Sequence, residues 1–227
     1  MMVNVVAKID DRVKVRTVLI SVSDKAGLES FVPGLLRACP GVRIISTGGT
    51  HARLAEIMGK AAAKQLMQVS DYTGQPETQG GLVKTLDFKI YLGLLTETYN
   101  PSHQADLKRT IASPIDMVVV NLYPFSATVA RAGVTVEEAR ANIDIGGPCM
   151  VRASAKNYLR VASVVDPKDY KKIIKELEKG KGATTLKLRY ELAKKAFAHT
   201  AAYDRGIASF LSSKTYAAMK KAYQEIV

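Results

Sequence analysis

Two segments of this 227-residue chain carry the residue types that hold phosphates. They are Ser21-Val-Ser23-Asp-Lys25-Ala-Gly27 and Ser46-Thr47-Gly48-Gly49-Thr50. Glycines let backbone N–H groups approach an anion, a helix starting there adds the positive end of its dipole, and Lys25 adds a point charge. Either segment alone reads more simply as an ordinary turn, because Ser, Thr and Gly make turns. The pair together, each following an apolar strand-like run, points to phosphate binding.

A second group places single titratable residues beside Gly, Pro or small neighbours. It comprises Gly80-Gly-Leu-Val-Lys84-Thr85-Leu86, Asn121-Leu-Tyr123-Pro-Phe125, Ile143-Asp144-Ile145-Gly146-Gly147 and Ala153-Ser-Ala-Lys156-Asn157. Taken singly, Lys84 is a surface lysine, Tyr123 an anchored aromatic, Asp144 a helix-end acid and Lys156 an ordinary helical lysine. Each residue stays open between a structural and a chemical role on this reading.

Short β-branched runs alternate with helical patterns over the first 120 residues, the signature of parallel strands joined by crossover helices. Strands are expected at Thr17–Val22, 42–45, 65–69, 90–95 and 117–120, the last buried on both faces because its apolar run is continuous. A Gly-rich turn should lead into a helix over Gly48–Met58. Asp24 is expected to cap a helix carrying Leu28, Phe31, Leu35 and Leu36, which Pro33 should kink or end. Thr135 and Glu138 fit a capping box, and Pro148 suits the first turn of a helix running to Asn157. After a strand at 161–165, Asp166 and Pro167 open a helix to about Lys179, and 186–211 reads as one long helix. Open parallel sheets bind ligands at the carboxyl ends of their strands, where both glycine-rich segments would lie.

Hydrophobic residues form 47% of the chain and charged residues 24%, which excludes disorder and fibrous repeats. No apolar run reaches the ~18–20 residues of a membrane helix, and the charges between Lys8 and Arg16 argue against a secretory signal. Cys39 and Cys149 lack ligand-like neighbours, so a reducing compartment, the cytoplasm, and no metal site are expected. The net charge of +12 is concentrated in residues 156–227, which hold sixteen Lys or Arg against seven Asp or Glu. Pairs such as Lys171–Lys172 and Lys194–Lys195 recur at helical spacing, which describes solvated helix faces rather than a specific nucleic-acid reader. A positive field also steers a phosphorylated substrate.

In order and spacing, these motifs together with Ser70-Asp-Tyr-Thr-Gly74 and Phe197-Ala-His-Thr-Ala-Ala-Tyr203-Asp204 resemble the IMP cyclohydrolase domain of the AICAR transformylase/IMP cyclohydrolase family. The likeness spans residues 16–213. It implies an α/β fold, a methylglyoxal-synthase-like parallel sheet flanked by helices (16–130), with a helical C-terminal extension (131–213). Residues 1–15 and 214–227 flank that domain. The implied reaction closes 5-formamidoimidazole-4-carboxamide ribonucleotide to inosine monophosphate with loss of water, without a cofactor.

The resemblance makes Lys84, Tyr123, Asp144 and Lys156 the catalytic positions. Asp144 would move the carboxamide proton, being the one group of the four that is ionised and accepting at pH 7. Lys84 and Lys156 would polarise the formyl oxygen, and Tyr123 would donate to it or position the departing water. Ser21, Ser23, Lys25, Ser46, Thr47, Gly48, Gly49 and Thr50 would bind substrate with Thr85, Asn121, Ile145 and Gly146. The chain is expected to be a stand-alone domain, a homodimer, served by a separate formyltransferase. It departs from the family at Leu82, where an arginine is usual, at Asp87 and Phe88 in place of His-Pro, and at Tyr91 and Leu92. Loss of the arginine makes a nucleotide-binding homologue with impaired catalysis the alternative. A methylglyoxal synthase is the third reading, opposed by the Asn-Leu-Tyr-Pro-Phe and Ile-Asp-Ile-Gly-Gly motifs.

Overall fold

The computed structural model describes residues 5–76, 78 and 83–224; Gly80, Gly81 and Leu82 lie outside the described residues. Its strands are β1 (Arg12–Lys14), β2 (Thr17–Val22), β3 (Arg43–Ser46), β4 (Leu66–Gln68), β5 (Met117–Asn121), β6 (Ala162–Val164) and β7 (Ala183–Thr185). Five are parallel, in the order β4-β3-β2-β5-β6, while β1 and β7 form a separate antiparallel ribbon that the sequence did not signal.

The sheet is buried on both faces because its strands alternate apolar residues between two cores. Val18, Ile20, Ile44, Met117, Val119, Ala162 and Val164 enter one core. Leu19, Ile45, Val118, Val120, Val161 and Val165 enter the other. Every large side chain buried this way contributes about 1.5–3 kcal/mol relative to exposure.

The helices are α1 (Leu28–Ala38), α2 (Gly48–Met58), α3 (Ala62–Gln65), α4 (Val69–Thr73), α5 (Phe88–Leu95), α6 (Pro101–Arg109), α7 (Phe125–Val129), α8 (Val136–Ala141), α9 (Gly146–Lys156), α10 (Tyr170–Lys179), α11 (Leu186–Ser212) and α12 (Tyr216–Lys220). Residues of α1, α2 and α10 fill the first core, and residues of α5 and α9 fill the second. Helix α11 packs against α9 and β6, placing Leu188 and Leu192 in one core and Ala193 and Ala196 in the other. It therefore covers an edge strand that would otherwise present unpaired backbone groups. Among the described residues no helix is long and apolar enough to cross a membrane.

Three local expectations are corrected. The 90–95 run is not a strand but the body of α5, capped by Asp87, whose Oδ1 accepts from Lys89 N at 2.7 Å. Ile90 and Leu94, one helical turn apart, are both buried, and so short an apolar run does not reveal its period. Asp24 does not cap α1; Gly27, at φ 77°, stands at that position, and Asp24 instead accepts from Ala26 N. Pro33 does not end α1, which runs on to Ala38. The capping box at Thr135 and Glu138 forms as the sequence predicts.

Candidate active site

The chain builds β2, β3 and β4 outward in one direction, then returns to lay β5 and β6 on the other side of β2. The strand order thus reverses between β2 and β5, and a crevice opens at their carboxyl ends. There lies a cleft of about 280 Å³, close to the lower end of the ~300–1,000 Å³ typical of small-molecule sites.

One wall is formed by the loop after β2 and the start of α2. Ser21, Ser23, Lys25, Thr47, Gly48, Gly49 and Thr50 all line the cleft. The hydroxyls of Ser21 and Thr47 stand 2.9 Å apart. Asn121 shapes the loop after β2: its Oδ1 accepts from Ser23 N at 2.7 Å and Asp24 N at 2.9 Å, and its Nδ2 donates to Asp24 O at 2.7 Å. Thr50 ties α2 to the same strand, its hydroxyl accepting from Val22 N and donating to Val22 O. Helix α2 begins at Gly48 without a side-chain cap, so the positive end of its dipole faces the cleft. Gly48 has φ +39°, and a Cβ there would lie 3.4 Å from Lys84 Nζ, which places the ammonium at the same helix end.

Helix α9 supplies the second wall, with Gly146 and Gly147 lining the cleft beside Asp144. Asp144 Oδ1 accepts from Gly147 N at 2.8 Å, and Oδ2 accepts from Tyr123 N at 3.4 Å. Burial pushes the carboxyl of Asp144 above its ordinary range, and these two N–H groups pull against that shift. Both glycines are required by close approach: a Cβ on Gly146 would stand 2.6 Å from Thr85 Oγ1, and one on Gly147 would stand 2.5 Å from Asp144 Oδ2. Thr85 and the half-exposed Tyr123 complete this wall. Among the described residues, the cleft thus joins two cationic side chains and two helix N-termini to one half-buried carboxylate, an arrangement that can hold an anionic ligand while one group exchanges a proton.

The structure does not bring Ser46, Ile145 and Lys156 to the cleft. Ser46 is fully buried and donates to Ile20 O at 2.7 Å, a strand-to-strand tie. Ile145 is 58% exposed at the start of α9. Lys156 is exposed in the last turn of α9, about 15 Å along the axis from Gly146 at 1.5 Å per residue. Of the departures, Asp87 caps α5 and Phe88 is 63% exposed, so neither side chain fills the cleft.

Some contributors escaped the sequence reading. Leu86 and Met150 give the cleft its apolar lining. Gly147 stood inside the Ile-Asp-Ile-Gly-Gly motif, and its proximity to a carboxylate could be read only from the turn. Tyr203 lies 59 residues from Asp144, yet its hydroxyl accepts from Asp144 N at 2.8 Å.

Known proteins resemble the chain along nearly all its length. The model of the MGS-like domain family matches residues 28–149, and that of the AICARFT/IMPCHase bienzyme family matches residues 154–226. The chain is 49% identical over 200 residues to the bifunctional purine biosynthesis protein PurH of Magnetococcus marinus, a match covering 88% of this chain and 36% of that protein. It spans about a third of that relative's length. The crystal structure of ForH superposes with a TM-score of 0.69 at 33% identity, covering 85% of this chain and 96% of the other.

Proposed function

Because the chain belongs to the MGS-like domain family, with a bienzyme-family match continuing to residue 226, we propose that its cleft is an IMP cyclohydrolase site. The reaction closes the formamido ribonucleotide to inosine monophosphate and water. The observation that carries the reading is the shared cleft, lined at once by a half-buried carboxylate, a phenol, a lysine and the hydroxyls and glycines of a cradle suited to phosphate.

The phosphate would sit at the N-terminus of α2, held by Ser21, Ser23, Thr47 and Lys25. Its binding energy, remote from the reacting bond, holds the formyl carbon against the carboxamide nitrogen, so that ring closure starts from the reactive conformer. Asp144 takes the proton from that nitrogen as the C–N bond forms. A carboxyl pKa raised by burial makes it a stronger base than an exposed aspartate. The formyl oxygen gains the negative charge, which Lys84 and the dipole end of α9 stabilise. Tyr123 donates to that oxygen. The oxygen takes up two protons in all, one that came from the carboxamide nitrogen and one from the formamido nitrogen, and leaves as water while that formamido nitrogen forms the new C=N bond of the ring. Since Lys156 stands at the far end of α9, the cation at the reacting oxygen is assigned to Lys84.

The test is a spectrophotometric cyclisation assay with the formamido ribonucleotide. Formation of inosine monophosphate that disappears in Asp144→Asn supports the proposal. Tight binding of inosine monophosphate without turnover supports the second reading, an impaired homologue, which the leucine at position 82 favours.

A further inference from the structure

Helix α11 reaches past the sheet to the two loops that carry Tyr123 and Asp144. The Tyr203 hydroxyl accepts from Asp144 N at 2.8 Å and donates to Asn142 O at 3.4 Å, so it bridges the turn between α8 and α9. The same ring meets Phe125 edge-on, with centroids 6.2 Å apart and planes at 69°. Phe125 is buried two residues beyond Tyr123, and its N–H donates to Tyr123 O at 2.8 Å. Phe210, two turns further along α11, closes on Phe125 from another side at 6.0 Å and 87°. Gly206 lies on the same stretch, and a Cβ there would reach Ser126 Oγ at 3.5 Å, which shows how near α11 runs to α7.

We infer that Tyr203 is a positioning residue that holds the Asp144 turn and the Tyr123 loop in one register from outside the cleft. The inference rests on the cyclohydrolase reading of this site. Tyr203 does not line the cleft, so it acts through Asp144 and Tyr123 rather than on substrate. Its hydroxyl fixes the backbone of the residue whose carboxylate is aimed by Gly147 N and Tyr123 N, and its ring fixes the loop that supplies one of those donors. A residue of α11 thereby sets the geometry of groups borne by two loops far from it in sequence.

Tyr203→Phe removes the hydroxyl and keeps the ring against Phe125. Three readouts on the purified full chain separate positioning from scaffolding: kcat against KM, the melting temperature, and the carboxyl titration of Asp144 followed by carbon-13 NMR. The other titratable groups lining the cleft are Lys25, Lys84 and Tyr123, and the variant leaves all three in place. The expected result is a fall in kcat of about ten- to hundredfold with KM within about twofold, since a misplacement near 1 Å costs roughly a hundredfold. The Asp144 titration should move down toward the ordinary carboxylate range, because a released turn readmits water to a buried group. Wild-type kcat with an unmoved titration overturns the inference, as does a drop in melting temperature with both unchanged. If the unmutated protein does not cyclise the substrate, the activity reading falls, and the titration alone decides: a moved midpoint supports positioning and an unmoved one overturns it. Should Tyr203→Phe fail to fold, 3-fluorotyrosine at position 203, a weaker acceptor of the same shape, should give a smaller shift of the same sign, and no shift overturns the inference.

Discussion

At the amino ends of the parallel strands, two buried arginines aim their donors at backbone carbonyls; at the carboxyl ends, lysines, hydroxyls and a carboxylate face an open cleft. Arg189 is fully buried and donates to the carbonyls of Asp10, Asp11, Tyr158, Leu159 and Thr184, tying the N-terminal segment and the β1–β7 ribbon to the turn before β6. Arg160 donates to Thr96 O, Ile115 O and Gly93 O and pairs with Asp116 at 3.2 Å. Asp116 in turn accepts from Arg16 N and Thr17 N at the start of β2. In a low-dielectric interior such donors must be satisfied, and a satisfied network rigidifies what it touches. The cleft follows the opposite rule, since a group already fully bonded has little left for a ligand. The same sheet is pinned at one end and made available for binding at the other.

The largest expected effect breaks the pinned end. Arg160→Ala leaves Asp116 buried without its partner and should cost about 3–5 kcal/mol in urea unfolding, while the folded fraction keeps its kcat. A loss of turnover in correctly folded Arg160→Ala would show that the two ends are not independent. Next, Gly147→Ala forces a Cβ to within 2.5 Å of Asp144 Oδ2 and 2.7 Å of Leu122 Cδ2. It should lower kcat about a hundredfold through displacement of the carboxylate, with a stability loss of about 1–3 kcal/mol measured by the same unfolding experiment.

These two sites also mark how far the sequence could be read. The alternation that sends Val18 and Ile20 to one core and Leu19 to the other is local, and it placed β2 over Thr17–Val22. That wall of the cleft was equally legible, since Ser21 stands at the end of a strand and Ser23, Lys25 and Thr47 to Thr50 each stand a few residues past one. Arg160 and Arg189 carried no such signal: apart from Thr184, five residues from Arg189, their partners lie tens of residues away or more, and a buried arginine looks like a surface one until its carbonyls are located. The same distance hid the tie between Tyr203 and Asp144. Residues 90–95 were misread for the opposite reason, because a short run with two buried positions fits either period until Asp87 is known to cap it. Lys156 illustrates what a motif leaves unsaid, because only the rise of α9 shows that it stands at the opposite end of that helix from the glycines lining the cleft.

A smaller effect sharpens the comparison at the open end. Among the described residues, Lys25 Nζ makes one weak hydrogen bond, to Ser23 O at 3.4 Å. Lys25→Ala should therefore weaken inosine monophosphate binding about tenfold or more, in line with ~1.5–3 kcal/mol for a hydrogen bond to a charged group, and leave the melting temperature near wild type. Titration calorimetry checks the first part and thermal unfolding the second. Equal affinity in the variant would move the phosphate away from the β2 loop.

The smallest effect is a pH dependence whose sign is fixed by burial. The folded-state pKa of Asp144 lies above its unfolded value, so folding favours the protonated carboxyl. Its contribution to stability is present below the unfolded pKa and is lost as pH rises through the folded pKa, whereas the proposed proton transfer needs the ionised form. The acid limb of kcat/KM should therefore fall above the ordinary carboxylate range. A limb at or below that range would remove Asp144 as the base.

The opposition between fitness for chemistry and contribution to stability is tested most directly by measuring kcat and unfolding free energy on one preparation of Asp144→Asn at pH 7. The carboxylate is predicted to be needed for turnover and slightly costly to the fold. The variant should lose at least about a hundredfold in kcat, as expected for removal of a general base, with stability equal to or above wild type. Turnover near wild type, or a fold weakened as severely as by Arg160→Ala, would contradict it.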